Sequence, residues 1–146
     1  MNSRTAINAY ANVGLSTDVM AADPHKLTSM LFEGALLTIT KARHAMAHDE
    51  PAIKGQYISK AIAIIGEGLH ASLDREAGGA LAGNLATLYD YMVKRLVHAN
   101  AKNDVGALDE VAHLLTELKE AWDSIRPQVV HPPVSESSRQ AGYARV

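Results

Sequence analysis

Cysteine is absent from these 146 residues. That removes disulfide bonds, thiolate nucleophiles and cysteine-ligated metals together, and it suits a reducing compartment. No apolar run approaches the ~18 residues that a membrane span requires. The opening segment MNSRTAINAY contains an arginine but lacks the apolar stretch of a secretory signal. Net charge is −2, charged residues make up 21%, and no block of one sign occurs, so nothing resembles an electrostatic footprint for nucleic acid or an anionic membrane. Strand alternation, a repeat of fixed period, a nucleophile elbow, a phosphate loop and a nucleotide fingerprint are likewise missing. A soluble, cytoplasmic chain without a cofactor is expected. With no ATP site, release of any bound partner would fall to competition or to other machinery.

What the chain does contain is helix. Length and a hydrophobic fraction of 47% fit one domain that buries about two-thirds of its unfolded surface. Asp23-Pro24 is a helix start, an N-cap followed by proline at the first helical position. The helix that follows carries Leu27, Met30, Leu31, Ala35, Thr38, Ala42 and Ala45 inward and ends near His48. Asp49-Glu50-Pro51 is a second start. From it a helix runs to about Asp74 with Ile58, Ile62, Ile65, Leu69 and Leu73 inward. Gly78-Gly79 reads as a helix break rather than a phosphate cradle. Asn103-Asp104 separates the third helix from the fourth, with Asp104 as N-cap. The fourth turns Leu108, Val111, Ala112, Leu115, Leu118, Trp122 and Ile125 inward until Arg126-Pro127 stops it. The expectation is an all-α fold, an antiparallel four-helix bundle over residues 23–126. Residues 1–22 form a short N-terminal helical segment capping a groove, and the proline- and serine-rich residues 127–146 form a flexible C-terminal tail.

The third helix has more apolar surface than one core requires. Leu81, Leu85, Leu88, Met92, Leu96 and Ala99 form the core stripe. A second stripe, Ala82, Ala86, Tyr89, Val93 and Val97, lies roughly 100° around the helix. The second helix repeats the pattern with Tyr57, Ala61, Ile64 and Gly68. Such stripes suit an amphipathic partner helix laid into a groove. The small residues among them equally suit close packing within the bundle or a weak homodimer seam. Gly66 and Gly68 each cost about 1 kcal/mol of helix propensity, which close approach of a neighbour would explain and simple local weakness would explain as well. Ile7, Tyr10 and Val13, three residues apart, can share one side of a short helix and act as a plug over exposed apolar patches. Tyr89 and Tyr91 also suit the bundle or its rim, Trp122 the core, and Lys94, Arg95 and Lys102 a solvated face.

An enzymatic reading is available and weak. Glu67/His70 and Glu110/His113 are Glu-x-x-His pairs, and Glu33 and Asp90 are single carboxylates, the ligand inventory of a ferritin-like di-iron bundle. The groups do not converge: Glu33 and Glu67 lie roughly 150–160° from their core directions and His113 points nearly opposite. His44 and His48 could chelate an ion, but the helix dipole already favours cations there. No metal site and no catalytic residue is expected.

Several runs resemble the FliS family of flagellar secretion chaperones. They are Tyr10-x-x-Val13, Pro24-His25-Lys26-Leu27 with Met30-Leu31 and Gly34-Ala35, Ile58-x-Lys60-Ala61 with Ile64-Ile65, and Ser72-Leu73-Asp74. They continue through Gly78-Gly79, Asn84-Leu85, Leu88-Tyr89, Tyr91-Met92, Arg95-Leu96, Ala99-Asn100, Asn103-Asp104, Glu110-Val111 with Leu114-Leu115, and Glu120-Ala121-Trp122. Asp23 stands where the family more often has serine, and Phe32-Glu33 where Tyr-Asp is usual. The resemblance implies a cytosolic, non-catalytic four-helix chaperone that holds the C-terminal segment of flagellin, blocks premature polymerisation and delivers it to a gate component of the flagellar type III export apparatus. It also implies an N-terminal segment that folds over the partner groove, is displaced by flagellin, and helps dock the loaded complex at the gate. The alternative is a bundle that only self-associates for a structural or regulatory end.

Overall fold

A computed structural model describes residues 23–125, all of whose regular structure is helical. Helix α1 spans Pro24–Ala47, α2 spans Pro51–Ala63 and continues through a π-helical turn at Ile64–Leu69, α3 spans Arg75–Lys102, and α4 spans Val105–Ser124. The connections at 48–50, 70–74 and 103–104 are too short to cross the bundle, so each helix returns antiparallel to the one before. Helix α1 packs on α2 and α4, and α3 closes the ring by packing on the same two. The N-terminal segment, with Ile7, Tyr10 and Val13, and the tail from 126 lie outside the described residues.

The caps are local chemistry. Asp23, Asp74 and Asp104 each accept a backbone N–H with the side chain, from Lys26, Ala77 and Ala107, which satisfies helix N-terminal donors. Two helices stop in left-handed residues, Asp49 at φ 57° and Asn103 at φ 51°. In both, the following N–H reaches back five residues, Glu50 to Ala45 at 2.9 Å and Asp104 to Ala99 at 3.1 Å, a Schellman closure. Asp49 therefore ends α1 rather than starting α2, a role that Asp and Asn tolerate because their short side chains fit that region.

Two sequence-based boundaries shift. The second helix stops at Leu69 instead of Asp74, because the His70 N–H bonds the Ile65 carbonyl at 2.8 Å, one residue wider than an α-turn. Ser72 then ends the helix, its hydroxyl donating to the Gly68 carbonyl at 2.7 Å. The third helix starts earlier, in one turn capped by Asp74, before Gly79 at φ 54°, ψ −128° kinks the chain and the long segment begins. Gly79 thus is a break, placed inside the element; only glycine enters that region freely.

The core is aliphatic: Leu27, Leu31, Ile39, Ile58, Ile65, Met92, Leu96, Leu108, Val111 and Leu115 are among its buried residues. At the far end Lys54 is buried, its ammonium donating to the Asn100 carbonyl at 2.9 Å and to Asn103 Oδ1 at 2.6 Å. It neutralises the carbonyl end of α3. The glycines of the π turn differ in their surroundings. A Cβ on Gly68 would lie 3.0 Å from Leu31 Cδ2, whereas one on Gly66 would meet Val93 at 3.9 Å. Close approach of α1 accounts for Gly68. Gly68→Ala is expected to lower stability by about 1 kcal/mol, overpacking outweighing the propensity gain, while Gly66→Ala raises it by up to about 1 kcal/mol. Urea midpoints of the two variants check this, and a stabilised Gly68→Ala would contradict it.

Candidate functional site: an apolar groove at the open end of the bundle

The second stripe of α2 is used inside the bundle. Ala61, Ile64 and Gly68 are buried and Tyr57 is half-buried, with the Lys41 ammonium 5.5 Å from its ring centroid. The expectation of an open flank there is corrected. Its place in the bundle is the cause: Ile58, Ala61, Ile64, Ile65, Gly68 and Leu69 span an arc of about 140° at 100° per residue, and neighbours on two sides cover all of it. Helix α2 meets α1 on one side and α3 on the other.

On α3 the buried line changes stripe midway. Ala82, Ala86 and Tyr89 are buried in the first half, and Met92, Leu96 and Ala99 in the second. The expected core residues Leu81, Leu85 and Leu88 turn outward instead: Leu81 is 66% exposed and the others half-buried. The opposite remainder is Val93, half-buried, and Val97, 54% exposed. A core line of period nearer 3.5 than 3.6 drifts across a straight helix face in this sense. Surplus apolar surface on α3 exists, but it is split between its two ends rather than continuous.

The same surplus appears on α4. Leu108, Val111 and Leu115 are buried, Leu118 and Trp122 half-buried, and Ile125 exposed, all along one stripe. Where the core gives out, the four helices leave a groove of about 300 Å³. Thr28 and Phe32 come from α1, and Leu69 and Leu73 from the end of α2 and its connection. Helix α3 adds Leu81, Leu85 and Tyr89, and α4 adds Leu118, Ala121, Trp122 and Ile125. This is the end at which α1 begins and α4 finishes, so the chain on either side of the described residues departs beside it. Of the twelve residues expected to bind a partner, Tyr89 lines this groove. Val93 lines a shallower cleft with Gly66, His70, Asp90 and Lys94. Leu69, Leu73, Leu81, Leu85, Leu118, Trp122 and Ile125 were expected as core, Thr28, Phe32 and Ala121 were not singled out as core or site, and no single helix's periodicity marks them as groove.

Polar pairs hold the rim. Asp123 accepts from Ser29 Oγ at 2.9 Å and from the Lys119 ammonium at 2.6 Å, with Glu33 3.7 Å from the same ammonium. Its carboxyl is held below the usual carboxylate range first by Lys119 and then by Ser29. Trp122 stacks on His25. Between α3 and α4, Glu110 accepts from Tyr91 and from Arg95, the latter at 2.8 Å; these bonds, Tyr91 first, lower its pKa. Arg95 is thus tied down rather than simply solvated. Asp104 is lowered chiefly by the Ala107 N–H and further by His98.

The groups of the di-iron reading stand apart. Glu33 faces Lys119, His70 is 3.4 Å from Asp90, Glu110 binds Arg95, and His113 is 3.2 Å from Glu117 on an exposed face. Among the described residues no three His, Cys, Asp or Glu side chains could share a metal ion. The His44 and His48 rings lie 4.0 Å apart, tilted by 31°, and a ring nitrogen of His48 bonds the His44 carbonyl, finishing α1. No described helix is long and apolar enough to cross a membrane.

The fold is a four-helix bundle whose apolar stripes outrun its core and leave an apolar groove at one end. The family described as Flagellar protein FliS matches residues 6–129, and the chain belongs to it. The chain is 46% identical over 128 residues to the flagellar secretion chaperone FliS of Salmonella typhimurium, covering 88% of this chain and 95% of that one. It is 47% identical over 125 residues to FliSB, a flagellar secretion chaperone of Pseudomonas aeruginosa, covering 86% and 98%. With FliS of Bacillus subtilis it shares 40% over 104 residues, covering 71% and 76%. The family is one of chaperones rather than enzymes.

The lowered carboxylates carry a pH dependence. Their folded-state pKa values lie below the unfolded ones, so the stability they supply is present above the ordinary carboxylate range and lost as pH falls through it. Glu110→Gln is expected to lower the thermal midpoint near neutrality and to flatten its decline between about pH 5 and 3. Parallel curves for the variant and the parent would contradict the assignment.

Proposed function

We propose that this chain is a cytosolic export chaperone that takes the C-terminal segment of flagellin into the groove, keeps it from polymerising early, and presents it to a gate component of the flagellar export apparatus. The observation that carries the reading is the groove itself, lined by all four helices and almost wholly apolar, in a member of the FliS family. An amphipathic helix binds such a surface through anchors one turn apart. A partner ordered on binding loses several kcal/mol, so the contact must extend beyond one pocket. Leu88 and Val93 offer further apolar contact along α3. Leu81 and Leu85, rather than Ala61 or Ile64, are the anchors' nearest neighbours in this reading.

The N-terminal residues Ile7, Tyr10 and Val13 form the resting cover in this proposal. They join α1 at Asp23, at the groove's own end. The stretch from Val13 to Pro24 can reach up to about 35 Å when extended, ample for the groove. Covering exposed apolar surface in the unloaded chain opposes aggregation, and flagellin would displace the cover.

Size-exclusion chromatography with flagellin tests the reading. Full-length flagellin is expected to co-elute with the chain, and flagellin lacking its last ~40 residues, enough for two ~30 Å helices, is not. Deleting residues 1–15 is expected to tighten binding and to raise the fluorescence of a dye that reports apolar surface. Equal co-elution of truncated flagellin, or a chain that elutes only with itself, would overturn the proposal.

A further inference from the structure

Trp122 is the largest side chain lining the groove and stands in the last full turn of α4, which ends at Ser124. Helix ends fray, so a ring in that position is not fixed by its own helix. It is fixed from α1. The His25 imidazole stacks on the indole with centroids 4.5 Å apart and planes inclined by 8°. The Trp122 Nε1–H donates to the His25 carbonyl at 2.9 Å, and His25 Nε2 bonds the Trp122 carbonyl at 2.8 Å. A carbonyl only accepts, so that nitrogen carries the hydrogen. One residue therefore holds the ring face, the ring N–H and the backbone of Trp122 together.

The other nitrogen explains why this arrangement is more than packing. His25 is 2% exposed, and its Nδ1 is the buried side-chain atom without a hydrogen-bond partner among the described residues. An apolar side chain would avoid that cost. What histidine adds in exchange is the Nε2 bond and the flat face against the indole. Ser29 and Lys119 secure the adjacent Asp123.

We infer that His25 is a positioning residue for partner recognition: it clamps Trp122 as a pre-set aromatic wall, so that an apolar helix enters a groove already formed. The inference rests on the flagellin reading for its partner and on the structure for the clamp. Pre-organisation of this kind removes an ordering cost from binding.

The chain has a single tryptophan, so emission excited beyond the tyrosine absorption and the long-wavelength indole band of the near-ultraviolet dichroism report this ring alone. The full-length chain, His25→Ala and His25→Phe are compared for these signals and for calorimetric affinity toward the C-terminal segment of flagellin. His25→Ala is expected to shift emission to the red, to lose the near-ultraviolet band and to bind about tenfold more weakly at unchanged helix content. His25→Phe keeps a ring face and is expected to recover the indole signals and an affinity within about threefold of the parent. Should His25→Ala lose helix, His25→Leu fills the slot without a flat face and takes its place. Native indole signals in the ringless variant, or shifted signals with undiminished affinity, would overturn the inference. If the parent itself ignores the segment, the flagellin reading falls, while the indole signals still decide whether His25 holds Trp122.

Discussion

The apolar stripes of this bundle are longer than the core they fill, and everything at its open end follows from that mismatch. Burial of aliphatic side chains drives the four helices together. The return is complete around Leu31, Ile65, Met92, Leu96 and Leu115, all buried. Beyond Leu115 the stripe of α4 continues through Leu118, Trp122 and Ile125 with progressively less to cover it. On α3 the buried line passes to Ala82 and Ala86, whose small side chains leave room, while Leu81 and Leu85 are turned into the gap. The groove is a place where the core lacks a contributor.

An open apolar end needs a rigid frame, since a loose one would close over its own surface. Here the frame is polar and tied across helices. The Ser29–Asp123–Lys119 group and the reciprocal His25–Trp122 bonds join the first turns of α1 to the last turns of α4. Arg95 and Glu110 join α3 to α4, and Arg43 grips Asp109 with two hydrogen bonds farther along α1 and α4. Most of these pairs are solvent-exposed and individually weak. Their value is geometric: they set the spacing of the walls while the core supplies the stability.

Much of the fold was readable from residues alone. Asp23-Pro24 and Asp104 mark helix starts by chemistry that needs no tertiary context, and the stripes of α1 and of α4 as far as Leu115 face inward as their period requires, whereas Ile125 is exposed. The errors have tertiary causes. A second stripe on α2 looked open because the sequence of one helix does not show that α2 is wedged between α1 and α3, which together bury both stripes. The crossing of the buried line on α3 depends on its angle to α2 and α4, which no one helix encodes. The burial of Lys54 has no signal in its own helix because its partners, Asn100 and Asn103, lie at the end of another. The surplus of apolar surface was legible, and its address was not. The family likeness carried the functional class independently of either.

The central claim is that the partner occupies the open end and not the flank of α2. Methyl-detected NMR of the full-length chain during titration with the C-terminal segment of flagellin addresses it directly. The account predicts the largest shifts at Leu73, Leu81, Leu85 and Leu118, with Ile58 and Ile65 in the buried core responding little. Shifts centred on Val97 and Ile53, with the groove leucines unmoved, would contradict it.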